Sequence, residues 1–452
     1  MKQFDARKAA FETLNTLDKG RNTLDGLLEK IPSEEIPAAR RDRALFQMIV
    51  FGVLRWRSRL DFIISRFSTK RIDKIDSRVL NILRLALFQI IYLDRIPNSA
   101  AVNTAVEIAK ACIAPRVAGY VNAVLRRATR EYPSLSFPDI ENNAIAATAV
   151  AKSFPEWIVH RWINRYGLEV TSSLCDAINT IPPISVRTNT LKTTPQELTE
   201  ALVKEAEHIK PTPFAPDGIT FVNPKTAIAE LNTFKKGWFQ VQDEAAQMVS
   251  ILLDPQPGES VLDACAGLGG KTGHIAQLMK NEGSIVALDI NEDKLLRLDA
   301  EMQRLGISIV KTACRNAEAS NLQQHFDQFD RVLLDAPCSG LGIMRRNPDI
   351  KWRNSKKNLT KYKTRQLALL ERLSALVKPC GYLVYAVCSP EPEENEIVVN
   401  EFLKKNTEFV INKQPEGLAD KMGSMMAPDG FFKTFPHFNQ MDGFAFVRLQ
   451  RI

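Results

Sequence analysis

From Gly237 onward four short apolar runs, "ESVLDACA", "GSIVALDI", "DRVLLDAP" and "GYLVYAVCS", alternate with stretches of helical character. Few folds accept that grammar. Parallel strands need crossover connections, and intervening helices supply them, so the alternation predicts βαβ units and a parallel, doubly wound sheet. Ligands of such sheets sit outside the carboxyl ends of the strands.

The first run leads into "VLDACAGLGGKTGHIA", residues 261–276, which reads as strand, glycine turn and helix start. That arrangement presents backbone N–H groups and a positive helix end to a ligand. Three ligands compete. A phosphate-binding P-loop finds its ending at Gly270, Lys271 and Thr272, but its first glycine is replaced by Cys265. A dinucleotide fingerprint fits Gly267 and Gly269 and then meets Thr272 where its last glycine belongs. The third ligand is S-adenosylmethionine, which needs close backbone approach after the first strand and an acidic residue after the second. Asp289 ends the second run, 19 residues beyond Gly270, near the ~20 expected of a ribose-binding carboxylate. That spacing serves a dinucleotide equally well.

Seven cysteines are scattered without a C-x-x-C pair, which predicts free thiols in a reducing, cytoplasmic setting and no structural metal. Two of them, Cys338 in "DAPCSG" and Cys388 in "AVCSPEPEENE", each follow a strand run. A lone cysteine is ordinarily a small buried hydrophobe. Two at adjacent strand ends beside a glycine loop face one cleft.

The rest of the chain differs in character. Met1 to Ile140 carries 24 Lys and Arg against 15 Asp and Glu, whereas the remainder is balanced at 36 against 37, so the formal charge of +8 resides in the first third. That third reads as helices, with Val102, Ala105, Val106 and Ala109 on one apolar face behind caps at Asn98 and Ser99. Arginines cluster at Arg55, Arg57 and Arg59 around Trp56 and again at Arg126, Arg127 and Arg130, a pattern suited to phosphate contact. The most apolar run, "VLNILRLALFQIIYL", is broken by Arg84 and Gln89 and falls short of a membrane span. A soluble, unprocessed monomer is expected.

Taken together, "CAGLGGKT", "DAPCSGLG", "RRNPDIKWR", "AVCSPEPEENE" and "DGFFKTFPHFNQMDGFAFVRL" resemble the Sun/RsmB group of RNA cytosine-C5 methyltransferases, and the basic helical third resembles a NusB-like RNA-binding domain. The resemblance implies a NusB-like all-α domain at 1–140, a linker with a small α+β subdomain at 141–235, and a Rossmann-like α/β methyltransferase domain at 236–452. It implies S-adenosylmethionine as cofactor and small-subunit rRNA as partner. Cys388 takes the part of the nucleophile that adds to carbon 6 of cytosine, Cys338 assists release, and Asp335 and Lys271 support the reaction. Cofactor contacts fall to Ala264, Cys265, Ala266, Gly267, Leu268, Gly269, Gly270, Lys271, Asp289, Asn316 and Asp335. RNA contacts fall to Arg345, Arg346, Lys351 and Arg353, and Arg187 and Asn189 in "SVRTNTLK" are RNA contacts or active-site supports.

The sequence departs from the group's pattern in places. Ala266, Gly267 and Leu268 stand where the group has Ala-Ala-Pro, Asn316 where it commonly has Asp, and Val387 where a Thr is common. The glutamates from Glu391 to Glu396 read as a negatively charged helix start without a catalytic role. A different class remains open: a non-catalytic RNA-binding assembly or antitermination factor with a degenerate methyltransferase fold. An RNA-dependent P-loop ATPase is a third reading.

Overall fold

The computed structural model describes residues 5–20, 22–29, 40–412, 420–423 and 425–452. These form two compact units, Met1–Thr180 with Met344–Ser355, and Ile181–Ile343 with Lys356–Ile452.

The first unit is helical. Its longer helices are Ala6–Asp18, Arg40–Phe67, Ser77–Tyr92, Asn98–Cys112 and Pro115–Glu131, packed on a core that includes Ile49, Leu60, Ile82, Leu83, Val121 and Leu125. Asp5 and Asp76 cap the first and third of these by accepting from backbone N–H groups that have no helical partner. The expected side-chain caps at Asn98 and Ser99 are absent; Pro97 precedes the helix and Asn98 is its first residue. The polar breaks in the most apolar run have internal partners. Arg84 donates to both oxygens of Asp61 at 2.6 and 2.8 Å, and Gln89 accepts from Arg7 at 2.7 Å. Among the described residues no helix is long and apolar enough to cross a membrane.

Three helices beyond residue 140, Ala144–Ala151, Glu156–Tyr166 and Leu168–Asn179, pack with this unit, and they lie in the range 141–235 expected to hold a linker and a small α+β subdomain. So does Met344–Ser355, a detour in the middle of the expected methyltransferase domain. Its buried Lys351 donates to Asn179 Oδ1 at 2.7 Å and to the carbonyls of Arg55 and Ser153, and Trp352 Nε1 donates to Leu54 O. Side chains near the middle of a motif rich in charge here fill the interior.

The second unit holds two sheets. The smaller consists of β1 (Ile184–Thr188), β2 (Glu207–Pro211), β3 (Gly218–Val222) and β4 (Phe239–Val241), antiparallel in the order β2-β3-β1-β4. The larger consists of β5 (Ser260–Ala264), β6 (Ser284–Asp289), β7 (Val310–Cys314), β8 (Phe329–Asp335), β9 (Val377–Val387), β10 (Phe409–Ile411), β11 (Phe432–Lys433) and β12 (Ala445–Arg451). Its order is β10-β12-β9-β8-β5-β6-β7, with β11 paired to β12. β9, β8, β5, β6 and β7 are mutually parallel, as the alternating runs predict, and β12 adds antiparallel to β9. The chain moves one way from β5 to β6 and β7, then resumes on the other side at β8. The switch point therefore lies between β5 and β8, where a doubly wound sheet opens a crevice at its carboxyl edge.

Candidate active site

The turn after β5 takes the shape its glycines permit. Cys265, Gly267 and Gly269 have φ of 65°, 59° and 79°, and a helix runs from Gly270 to Leu278. At Gly269 a Cβ would come within 2.6 Å of Leu298, so glycine is needed there for packing as well as for backbone angle. At Gly270 a Cβ would meet nothing within 4 Å, which leaves open space over the helix start. Ala264 ends β5, Ala266 N donates to Leu288 O at 2.9 Å, and Leu268 is exposed. Thus the turn closes without the proline at position 268, because a backbone bond to β6 holds it.

Asp289 ends β6 and accepts from Gly267 N and Asn291 N, both at 2.9 Å. Each carboxylate oxygen keeps a further lone pair. Asn316 lies exposed in the turn after β7, where its side-chain carbonyl accepts from Glu318 N. The open turn, the helix N-terminus and the carboxylate after β6 fit a nucleoside-bearing ligand with a small anionic group.

Beside this turn, β8 and β9 deliver the two cysteines to one point. Cys338 Sγ and Cys388 Sγ are 3.1 Å apart, both as free thiols. The backbone fixes them: Ala336 N donates to Ala386 O, Gly342 N to Cys388 O, and Gly443 N to Gly342 O, each at 2.9 Å. A Cβ at Gly342 would lie 1.7 Å from Gly443 O, so "SGLG" and the distant "MDGF" interlock only as glycines.

Lys271 Nζ donates to Asp335 Oδ2 at 2.6 Å and stands 5.3 Å from the Phe444 ring centroid. Burial works against its ammonium, yet Asp335 and Cys388 outweigh that and raise its pKa. Cys338 is pushed far above the ordinary thiol value, first by its bond to Cys388 and then by burial. Burial pushes Cys265 up to about 12. Neither of those two thiols ionises readily near neutral pH.

Two groups escaped the sequence reading. Asp263, just below the turn, accepts from Thr272 Oγ1 at 2.6 Å, and burial raises it to about 7. Its position at the carboxyl end of β5 was the available signal. The second is Glu394, which is completely buried and was expected only as part of a negatively charged helix start without a catalytic role. Four hydrogen-bond donors surround its carboxylate.

The expected RNA contacts divide. Arg187 is 1% exposed and donates to Gly270 O, Gln240, Gln242 and Gln277, which leaves no side-chain surface for RNA and fits the other expectation, that of an active-site support. A guanidinium so enclosed supports the start of the Gly270–Leu278 helix from β1. Asn189 is likewise buried, donating to Gly237 O and Leu305 O, and serves packing. Lys351 is buried in the helical unit, so it too is withdrawn from RNA. Arg345 and Arg346 are half-buried and Arg353 is exposed, all in that unit. Arg55 is buried and donates to Arg345 O, Arg57 pairs with Asp18, and Arg59 packs on the Phe137 ring, whereas Arg126, Arg127 and Arg130 remain exposed.

Paired thiols beside a cofactor-type turn coincide with a decisive likeness in sequence. The family model described as 16S rRNA methyltransferase RsmB/F matches residues 250–450, the NusB family model matches 5–130, and a ferredoxin-like domain of RsmF/B-type methyltransferases matches 154–228. A relative from Bacillus subtilis, named probable ribosomal RNA small subunit methyltransferase B, is 34% identical over all of both chains. The chain belongs to the RsmB/F family. Among solved structures, the RsmB/F chain resembles PH0851 with TM-score 0.83 and 26% identity over 100% of this chain and 99% of that one. A methyltransferase homologue from Pyrococcus horikoshii, 27% identical, matches 69% of this chain and 99% of its own with TM-score 0.58.

Proposed function

We propose that this chain, an S-adenosylmethionine-dependent rRNA methyltransferase by family, methylates carbon 5 of a cytosine in small-subunit rRNA through a covalent cysteine–cytosine intermediate. The observation that carries this reading is the 3.1 Å approach of Cys338 and Cys388 next to the Lys271–Asp335 pair.

Carbon 5 of cytosine is a poor nucleophile until a thiolate adds at carbon 6 and pushes electron density toward it. Cys388 is the thiol assigned to that attack. Cys388 is among the groups that raise the Lys271 pKa, so a cation stands near the assigned nucleophile. Asp335, at the end of β8, hydrogen-bonds the cytosine edge and supports protonation of the ring as the adduct forms. S-adenosylmethionine, held on the 264–270 turn with Asp289 and Asn316, supplies the electrophilic methyl group.

Release follows from the same geometry. Before Cys388 bonds to the base, it is the largest influence holding Cys338 protonated. Once Cys388 is bonded to the base that restraint is gone, and Cys338 is the adjacent group that assists loss of the carbon 5 proton and departure of Cys388. Exposed Lys356, Lys357 and Lys361 provide basic contacts for single-stranded RNA whose target base has left its stack, and Arg346 and Arg353 are RNA contacts of the helical unit.

The test is incubation with tritiated S-adenosylmethionine and unmodified small-subunit rRNA, resolved on denaturing protein gels. Wild type should methylate carbon 5, Cys388→Ala should be inactive, and Cys338→Ala should accumulate a covalent protein–RNA band. Three equally inactive proteins that still bind RNA would favour an assembly factor.

A further inference from the structure

We infer that Glu394 is a positioning residue: its carboxylate ties the two cysteine-bearing turns together and sets the separation of the thiols. The inference rests on the two-cysteine reading for its catalytic meaning, and on geometry alone for the tie itself.

Cys338 and Cys388 are each followed by a serine, Ser339 and Ser389. Both serines bond to Glu394. Its Oε1 accepts from Ser339 N at 2.7 Å and from Gln366 Nε2 at 3.2 Å, while its Oε2 accepts from the Ser339 and Ser389 hydroxyls at 2.5 Å each. Gln366 also donates to Pro337 O at 3.0 Å, on the other side of Cys338. The carboxylate is held in turn, because its own backbone carbonyl accepts from the buried Tyr385 hydroxyl in β9.

Four donors converge on two carboxylate oxygens, the full acceptor capacity of the ionised group. Burial nevertheless raises the Glu394 pKa, and the four bonds oppose the rise. A buried carboxyl kept under that penalty, inside a network joining two loops 50 residues apart, fits orientation better than bulk stability. Its charge also reaches Cys338, adding to the bond from Cys388 and to burial in keeping that thiol protonated. One group thereby supports the division of labour: both sulfurs are held adjacent, and the Cys338 thiol is discouraged from ionising first.

Proximity can be measured without RNA. Diamide, a two-electron oxidant that takes up the two thiol hydrogens, should convert Cys338 and Cys388 to a disulfide in the wild-type chain, read by non-reducing peptide mass mapping. Glu394→Gln should slow that cross-link at least tenfold, and Ser389→Ala should slow it by a smaller factor with little effect on the melting temperature. In methylation assays Glu394→Gln should lower kcat about tenfold while KM for rRNA and for S-adenosylmethionine stay within twofold. Wild-type chain that resists diamide, or folded variants that cross-link as fast as wild type, would overturn the inference. If Glu394→Gln does not fold, Ser339→Ala and Ser389→Ala decide it by the same rate. A slowed cross-link in variants of a protein that never methylates cytosine leaves the tie standing and removes only its catalytic meaning.

Discussion

Lys271 in the catalytic unit and Lys351 in the helical unit are both enclosed lysines inside family motifs, and they do opposite things. Lys271 faces Asp335 at 2.6 Å, and its pKa is raised despite burial. Lys351 meets two backbone carbonyls, an asparagine oxygen and the Phe154 ring, and burial presses its pKa far below the ordinary lysine value. A buried ammonium is a working charge only where a carboxylate compensates the lost water. Basic residues in a motif therefore divide by partner, and the motif does not reveal the division.

The two lysines differ most in what their removal should do to the reaction. Lys271→Met should lower kcat by about 100-fold, the scale of losing one preorganised charge at a reacting centre, with RNA affinity nearly unchanged. An unaltered kcat would erase the distinction between them. Next, Asp335→Asn should make Lys271 resemble Lys351. Beyond any direct loss of rate, the ammonium should then lose its proton at lower pH, so the alkaline limb of the pH–rate profile moves toward neutrality. The sign follows from the raised pKa, since removing the carboxylate that raises it must lower it. A smaller effect is expected on the surface of the helical unit. Replacing Arg126, Arg127 and Arg130 by Gln should weaken RNA binding by about tenfold at low salt, and flatten the log–log salt slope by roughly 0.7 to 0.9 for each phosphate that is no longer neutralised. The smallest effect belongs to Lys351→Met, which should leave RNA affinity within about twofold and the salt slope unchanged. A large loss of affinity there would return Lys351 to the RNA-binding set.

The arginines of the helical unit repeat the lesson. Arg55, Arg57 and Arg59 look like Arg126, Arg127 and Arg130 in sequence, three basic residues within a few positions of one another. The first three are engaged by Arg345 O, Asp18 and the Phe137 ring, groups separated from them by up to 290 residues. Helical periodicity gives a face, but not what covers it. For the same reason the sequence does not show which segments pack with the helical third. The prolines from Pro133 to Pro138 end one helix, yet three more helices and Met344–Ser355 complete the packing. A cut at residue 140 would strip partners from Lys351 and Trp352, so point substitutions are the cleaner probe of RNA binding.

Sequence alone determined what depends on local periodicity and on residue chemistry. Alternating apolar runs required the parallel sheet, the glycine turn and Asp289 pointed to a nucleoside-type crevice, and two thiols at neighbouring strand ends marked the site on which the proposed chemistry rests. These features are short-range in the chain or follow from strand direction. Tertiary structure alone decided which charges are live, which of two roles, RNA contact or internal support, the buried Arg187 and Asn189 can take, and that Glu394 is a buried tie. Each of those outcomes depends on groups brought together from distant segments, and burial and partnership, which set the energy of a charge, are written in no single stretch of the sequence.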